Sequence, residues 1–278
     1  MQNTNPQQSA SDRPIGIFDS GIGGFTVMAE IMKALPHESL IYFGDTARVP
    51  YGSKSKETVA RYSEQISGFL MEKQVKAIVV ACNTASACAL DALVKKLPIP
   101  VIGVIEPGAK TAAAATENGR IGVIGTEATV KSGAYPEIIR SLNPEAKVFA
   151  KACPLFVPLV EEGWAEDVVT ERVAERYLDK LLMKNIDTLI LGCTHYPLLK
   201  RIIGDVCGRN VTLVNPAFET AKELGELLRE KGLLHEAGKD AAAKVSHEYY
   251  CSDDPERVAR FAESFLGEGG ISPFMVSL

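Results

Sequence analysis

Two cysteines, Cys82 and Cys193, stand 111 positions apart in matching settings. Each closes an apolar run of strand length, 77-AIVVAC-82 and 188-TLILGC-193. Each is followed by polar side chains, Asn83 and Thr84 in one case and Thr194 and His195 in the other. A thiol where a helix begins sits beside unpaired N–H groups and the positive end of the helix dipole, which predicts a Cys82 thiol below the usual value of about 8.5. Thiols in such places act as acids and bases or as nucleophiles. A cysteine after a buried strand is more often a small core residue. The shared context of these two favours chemistry, whereas Cys88, Cys153, Cys207 and Cys251 lack it and read as spectators.

Other residues could serve such thiols. Asp19 and Ser20 open 19-DSGIGGFTV-27, where three glycines let backbone approach a ligand and N–H groups form an anion-binding turn at a helix start. Asp19 is read as a helix cap or as a proton acceptor facing a thiol, and His195 as a proton relay for Cys193 or as a buried hydrogen-bonded side chain. The polar stretch 44-GDTARVPYGSKS-55, with Pro50, Tyr51 and Gly52 at its turn, suits a carboxylate ligand or a plain surface turn. Thr126 and Thr129 offer hydroxyls or cap a helix. No CxxC or HExxH spacing supports a metal site, no GxxxxGK[ST] supports a nucleotide loop, and the glycines after Asp19 do not give GxGxxG. A nucleophilic Cys193–His195 pair in an acyl-transfer hydrolase would leave Cys82 idle, and a non-catalytic amino-acid-binding module would leave both thiols unexplained.

Short apolar runs at 15–18, 39–43, 77–81, 99–103, 120–124, 146–150, 187–191 and 211–214 alternate with helical periods, the best of which places Val59, Tyr62, Ile66, Phe69 and Leu70 on one face. Strands alternating with helices imply α/β lobes with mainly parallel sheets flanked by helices, and ligands then bind beyond the strands' C-terminal ends. The chain also repeats itself: 15-IGIFDS-20 resembles 121-IGVIGT-126, and helices opening on 61-RY and 176-RY lead into the two cysteine strands. Two similar lobes related by a pseudo-twofold, with a site in the cleft between them, follow from that repeat. The first comprises 14–105 plus 216–278 and the second 106–215, with a hinge at 104-VIEPG-108, where Pro107 and Gly108 punctuate the chain. Beyond Asn215 we expect a helix from Phe218 to Arg229, a polar Ala-rich loop, a strand near 249–252 and a helix after Pro255, packed back onto the first lobe. Residues 1–13 read as a disordered tail.

Composition narrows the class. Hydrophobic residues make up 46% and charged residues 23% of 278, as in ordinary globular chains. A net charge of -5 disfavours nucleic acid as a partner, and no apolar run approaches the roughly 20 residues of a membrane span. The polar N-terminus lacks signal-peptide character, and six cysteines without an export signal point to a reducing cytoplasm.

Five motifs taken in order, DSGIGG, DTARVPYG, ACNTAS, IGVIGTxAT and GCTHYPLL, resemble the bacterial glutamate racemase family of the aspartate/glutamate racemase superfamily. The resemblance implies two α/β lobes and cofactor-independent interconversion of L- and D-glutamate, which supplies D-glutamate for peptidoglycan and the cell wall. It implies that Cys82 and Cys193 are the two acid/base residues; Asp19 as the partner of Cys82 and His195 as that of Cys193 follow instead from each being local to its own lobe. Asp19, Ser20, Pro50, Tyr51, Gly52, Asn83, Thr84, Thr126, Thr129, Thr194 and His195 would line the substrate site. A supporting glutamate falls on Glu161 or its neighbour Glu162. His195 favours the glutamate branch over aspartate-specific relatives, which carry glutamate there. A homodimer is the family expectation, and some longer members require a cell-wall precursor as activator.

Overall fold

The computed structural model describes residues 9–235, 245–267 and 269–278. The chain runs β1 (Ile15–Asp19), α1 (Phe25–Ala34), β2 (Leu40–Gly44), α2 (Lys56–Glu72), β3 (Ala77–Val80), α3 (Asn83–Lys96) and β4 (Val101–Gly103). It continues through α4 (Ile105–Ala115), β5 (Arg120–Gly125), α5 (Glu127–Ser132), α6 (Ala134–Leu142), β6 (Lys147–Ala152), α7 (Phe156–Glu161), α8 (Val168–Leu182), β7 (Thr188–Gly192), α9 (Lys200–Cys207) and β8 (Thr212–Val214). It returns through α10 (Pro216–Glu230), β9 (His247–Cys251), α11 (Pro255–Leu266) and β10 (Phe274–Met275).

The strands form two sheets, a six-stranded one ordered β10-β9-β2-β1-β3-β4 and a four-stranded one ordered β6-β5-β7-β8. Every pairing is parallel. The order β2-β1-β3-β4 is repeated by β6-β5-β7-β8, so β3 with its following Cys82 and β7 with its following Cys193 hold the same place in their sheets. Parallel strands covered on both faces must be apolar throughout, and β1, β2, β3 and β7 are buried at every residue. One face of the six-stranded sheet packs Ile17, Val79 and Tyr42 against α1, α10 and α11 through Phe25, Leu224 and Val258. Its other face packs Phe18, Val80 and Phe43 against α2 and α3 through Val59, Ile66, Leu70 and Leu93. The four-stranded sheet is sandwiched in the same way between α4 with α6 and α7 to α9.

Helix α2 shows how the sequence sets one of these layers. Ser55 accepts the Thr58 N–H at 3.2 Å and so caps it, and Val59, Ile66 and Leu70 turn toward the sheet while Tyr62 and Phe69 sit half-buried on its flank. Two expectations change. Pro107 and Gly108 do not break the chain but lie in the first turns of α4, where a missing N–H leaves no helical bond unmade. Part of the 1–13 tail is ordered: Ala10–Asp12 form a 3-10 turn, and the buried Lys76 ammonium donates to the Ser11 carbonyl at 2.5 Å while pairing with Glu38. Residues 1–8 of that tail and the Ala-rich loop at 236–244 lie outside the described residues. Strand β10 has no sequence signal beyond Phe274 and Met275, since it is two residues long and exposed.

No described helix is long and apolar enough to cross a membrane.

Candidate active site

Both sheets point their C-terminal strand ends at one cavity of about 460 Å³. Ser20 follows β1, the loop from Val49 to Ser53 follows β2, and Cys82, Asn83 and Thr84 follow β3. Thr126 follows β5, Pro154 follows β6, and Cys193, Thr194 and His195 follow β7, with Val157, Pro158 and Glu161 supplied by α7. Residues 82 and 193, far apart in sequence, therefore share one chamber. Asp19 and Thr129 do not line it: both are buried just behind its wall. Glu161 reaches the cavity and His195, whereas Glu162 caps the end of α7.

The lobes meet around this cavity through side chains chosen for fit. Thr26 Oγ1 donates to the Thr194 carbonyl at 2.9 Å, Thr84 and Thr126 share a hydroxyl bond of 2.9 Å, and Tyr135 donates to Asn83 Oδ1 at 2.7 Å. Gly23 admits the closest approach. A Cβ there would lie 2.3 Å from Thr194 Oγ1 and 2.5 Å from His195 Nδ1, so no larger residue fits with the lobes in this position.

Cys82 is the residue before the first turn of α3, and its Sγ accepts the Ala85 N–H at 3.4 Å while donating to Ser20 Oγ at 3.6 Å. The helix start is thus as expected, but the thiol is not lowered. Burial comes first and the nearby Asp19 carboxylate second, and together with Cys193 they push it up to about 12 against the opposing Ala85 N–H and Ser20 hydroxyl. One helical N–H cannot offset removal from water beside a carboxylate. Asp19 accepts the Gly21 N–H at 3.0 Å and is not the cap of α1, which begins only at Phe25. Burial raises its carboxyl above the usual range, with His195 and the turn N–H groups opposing. Its Oδ1 is buried without a hydrogen-bond partner among the described residues.

Cys193 has a different setting. It precedes a 3-10 turn, Tyr196–Leu199, and α9 starts only at Lys200. Its Sγ faces His195 Nδ1 at 3.9 Å, and His195 Nε2 bonds Glu161 Oε1 at 2.9 Å. Burial alone would lower the imidazole, but Cys193 and Glu161 outweigh it and raise it to about 10. Glu161 is lowered in turn: burial is overcome by His195 and Arg257. The chemical capacity of the cavity is therefore two cysteines on its lining, one backed by a buried carboxylate and the other by a proton-holding imidazole.

The remaining donors are neutral. Among the described residues no Lys or Arg lines the cavity, and an anionic ligand would be held by hydroxyls, the Asn83 amide and backbone N–H groups. Among the described residues no three His, Cys, Asp or Glu side chains stand together as a metal-binding group.

Sequence reasoning missed three supports. Asp45, fully buried, accepts from Arg48 at 2.7 Å, from Ser252 at 2.8 Å and from the Tyr51 hydroxyl, pinning the cavity loop to the C-terminal segment. Tyr135 orients Asn83, and Arg257 pairs with Glu161. Asp45 and Arg48 stand within a motif already singled out, but Ser252 and Arg257 are more than 200 positions away and carry no local signal.

Residues 19–224 match the model of the Asp/Glu/Hydantoin racemase family. The chain is 55% identical to the glutamate racemase of Geobacter metallireducens, over 96% of this chain and 97% of that one. The structure resembles a glutamate racemase isoform from Bacillus anthracis with a TM-score of 0.91 at 41% identity, covering 96% of this chain and 98% of that one. It also resembles the Francisella tularensis glutamate racemase solved in complex with D-glutamate, with a TM-score of 0.88 at 40% identity and the same coverage.

Proposed function

The chain belongs to the Asp/Glu/Hydantoin racemase family, and from that premise and the geometry of the cavity we propose that it interconverts L- and D-glutamate by a two-base proton transfer between Cys82 and Cys193. The observation that carries the proposal is the placement of one cysteine per sheet, at equivalent strand ends, on the wall of one small chamber.

The chemistry needs that placement. The Cα hydrogen of an amino acid is a very weak acid, and inversion requires removing it from one face and delivering another to the opposite face. Two fixed groups accomplish this without moving, one entering the cycle as thiolate and the other as thiol, and they exchange states at each turnover. Asp19 is the proton partner of Cys82, through the burial they share, and His195 is that of Cys193. A carbanion developing at Cα is stabilised by donors already fixed in place (Ser20, Asn83, Thr84 and Thr194) and by exclusion of water when the lobes shut. Residues 14–105 with 216–278 act as one lobe and 106–215 as the other. The product would serve peptidoglycan synthesis in the cytoplasm, and the enzyme would work without a cofactor, as a homodimer.

Incubation with L-glutamate in D2O tests the reading. We expect deuterium at Cα and decay of optical rotation to zero with no added cofactor. Glutamate that keeps both its hydrogen and its rotation would sink the proposal.

A further inference from the structure

Arg257 stands in the first turn of α11, which packs on the six-stranded sheet, yet its guanidinium crosses to the other lobe. One of its terminal N–H groups donates to Glu161 Oε2 at 3.1 Å, while Glu161 Oε1 is the atom bonded to His195 Nε2 at 2.9 Å. Arg257, Glu161, His195 and Cys193 thus form one chain of contacts, and Arg257 is its sole member from the first lobe. The guanidinium adds a second positive partner, beside His195, to the Glu161 carboxylate. Glu161 closes α7, the end where a helix dipole disfavours negative charge, and it is largely withdrawn from water.

The position of Arg257 is set by the same joint that shapes the cavity loop. Asp254 Oδ1 accepts the Arg257 N–H at 3.0 Å, the Asp253 N–H donates to Thr46 Oγ1 at 2.9 Å, and the Ala47 N–H donates to Ser252 Oγ at 2.9 Å. Ser252 in turn donates to Asp45, which holds Tyr51 at the cavity. Loop and guanidinium therefore move as one piece with the first lobe.

Building on the racemase reading, we propose that Arg257 is a positioning residue: from the opposite lobe it holds the Glu161 carboxylate against His195, so that the relay behind Cys193 is complete only when the lobes are shut. The titratable and charged groups acting on His195 are Cys193 beside it, Glu161 from α7 and Asp19 from β1, with Arg257 acting through Glu161.

The test uses the whole enzyme with Arg257→Met, Arg257→Lys and Glu161→Gln. The readouts are kcat and KM across pH and the imidazole titration of His195 by nitrogen NMR, assigned among the four histidines with His195→Gln. Since both partners of the pair are partly exposed, we expect Arg257→Met to lower kcat about fivefold with little change in KM. The alkaline limb of the profile and the His195 titration should both move to lower pH, Arg257→Lys should restore most of the loss, and Arg257→Met should add nothing in the Glu161→Gln background. A kcat loss equal at every pH, with His195 titrating as in the wild type, would mark Arg257 as merely structural and overturn the proposal. A wild-type enzyme that fails to racemise glutamate would overturn the functional reading instead, while the histidine titration would still decide whether Arg257 acts on the relay.

Discussion

Cys82 and Cys193 occupy the same place in two sheets of the same strand order, yet their surroundings share almost nothing. Cys82 is backed by a helix N-terminus, a serine hydroxyl and a buried carboxylate, Asp19. Cys193 is backed by an imidazole, a carboxylate and, from the other lobe, a guanidinium. The repeated topology puts two cysteines on the lining of one cavity; the electrostatics of each are supplied by side chains that the repeat does not copy. The site is therefore asymmetric, with a buried carboxylate raising the Cys82 thiol on one side and an imidazole raised by its neighbours standing beside Cys193 on the other.

The strongest way to break this comparison is to remove either sulfur. Cys82→Ser and Cys193→Ser should each lower racemisation by at least about 10³-fold, because a two-base cycle uses both groups in every turnover. Each variant should keep some one-sided elimination from substrates with a β leaving group, with opposite preferences for the L and D forms. Full racemisation by either single variant would reject the pairing.

The next test asks whether each partner serves its own sulfur. Asp19→Asn should impair the elimination that survives in Cys193→Ser, and His195→Gln the one that survives in Cys82→Ser, each by about 10²-fold. Equal losses on both sides from either change would mean that the partners are shared, an outcome made concrete by the influence of His195 on Asp19 across the lobes.

Closure itself is probed by Gly23→Ala. The new methyl must push Thr194 and His195 away, and with them the second lobe. We expect a loss on the order of tenfold, with the folded state retained, as a misplaced reacting group produces. Wild-type kinetics in this variant would show that the lobes do not need the approach seen here.

Much of this was legible in the sequence because it is written locally. Runs such as Ile15–Phe18 and Leu189–Leu191 are apolar at every position, which only a doubly covered strand requires, and the polar residue after each run marks the ligand end of the sheet. Cys82, Asn83, Thr84, Cys193, Thr194 and His195 were found on that ground, and all line the cavity. The proton affinity of Cys82 was misjudged because a helix start is visible in sequence, whereas the burial that outweighs it, and Asp19 lying 63 positions upstream, belong to the tertiary structure. Arg257 was invisible for the same reason. An arginine in the first turn of a C-terminal helix looks like any solvated surface residue until the second lobe is placed beside it.

The smallest effect concerns stability, and it separates the two sides by pH. The His195 imidazole is raised to about 10 in the fold from an ordinary 6.5, so the stabilisation linked to its proton is full below 6.5 and is lost as pH rises toward 10. Glu161 is shifted the other way, so its contribution is lost only as pH falls into the carboxylate range. Cys82 is raised from 9 to about 12, and its contribution stays nearly intact up to pH 9. Asp19 is also raised, so its contribution falls as pH climbs above the ordinary carboxylate value, and the Cys193 side is the part of the slope between pH 6.5 and 9 that His195→Gln removes. Because the proton on His195 is shared with its neighbours and counted once, we expect a fall of about 1–2 kcal/mol across that window. Urea midpoints should show this fall in the wild type and a flatter line in His195→Gln. Parallel lines would mean that the imidazole does not hold its proton in the fold, and the contrast between the two walls of the cavity would lose its electrostatic basis.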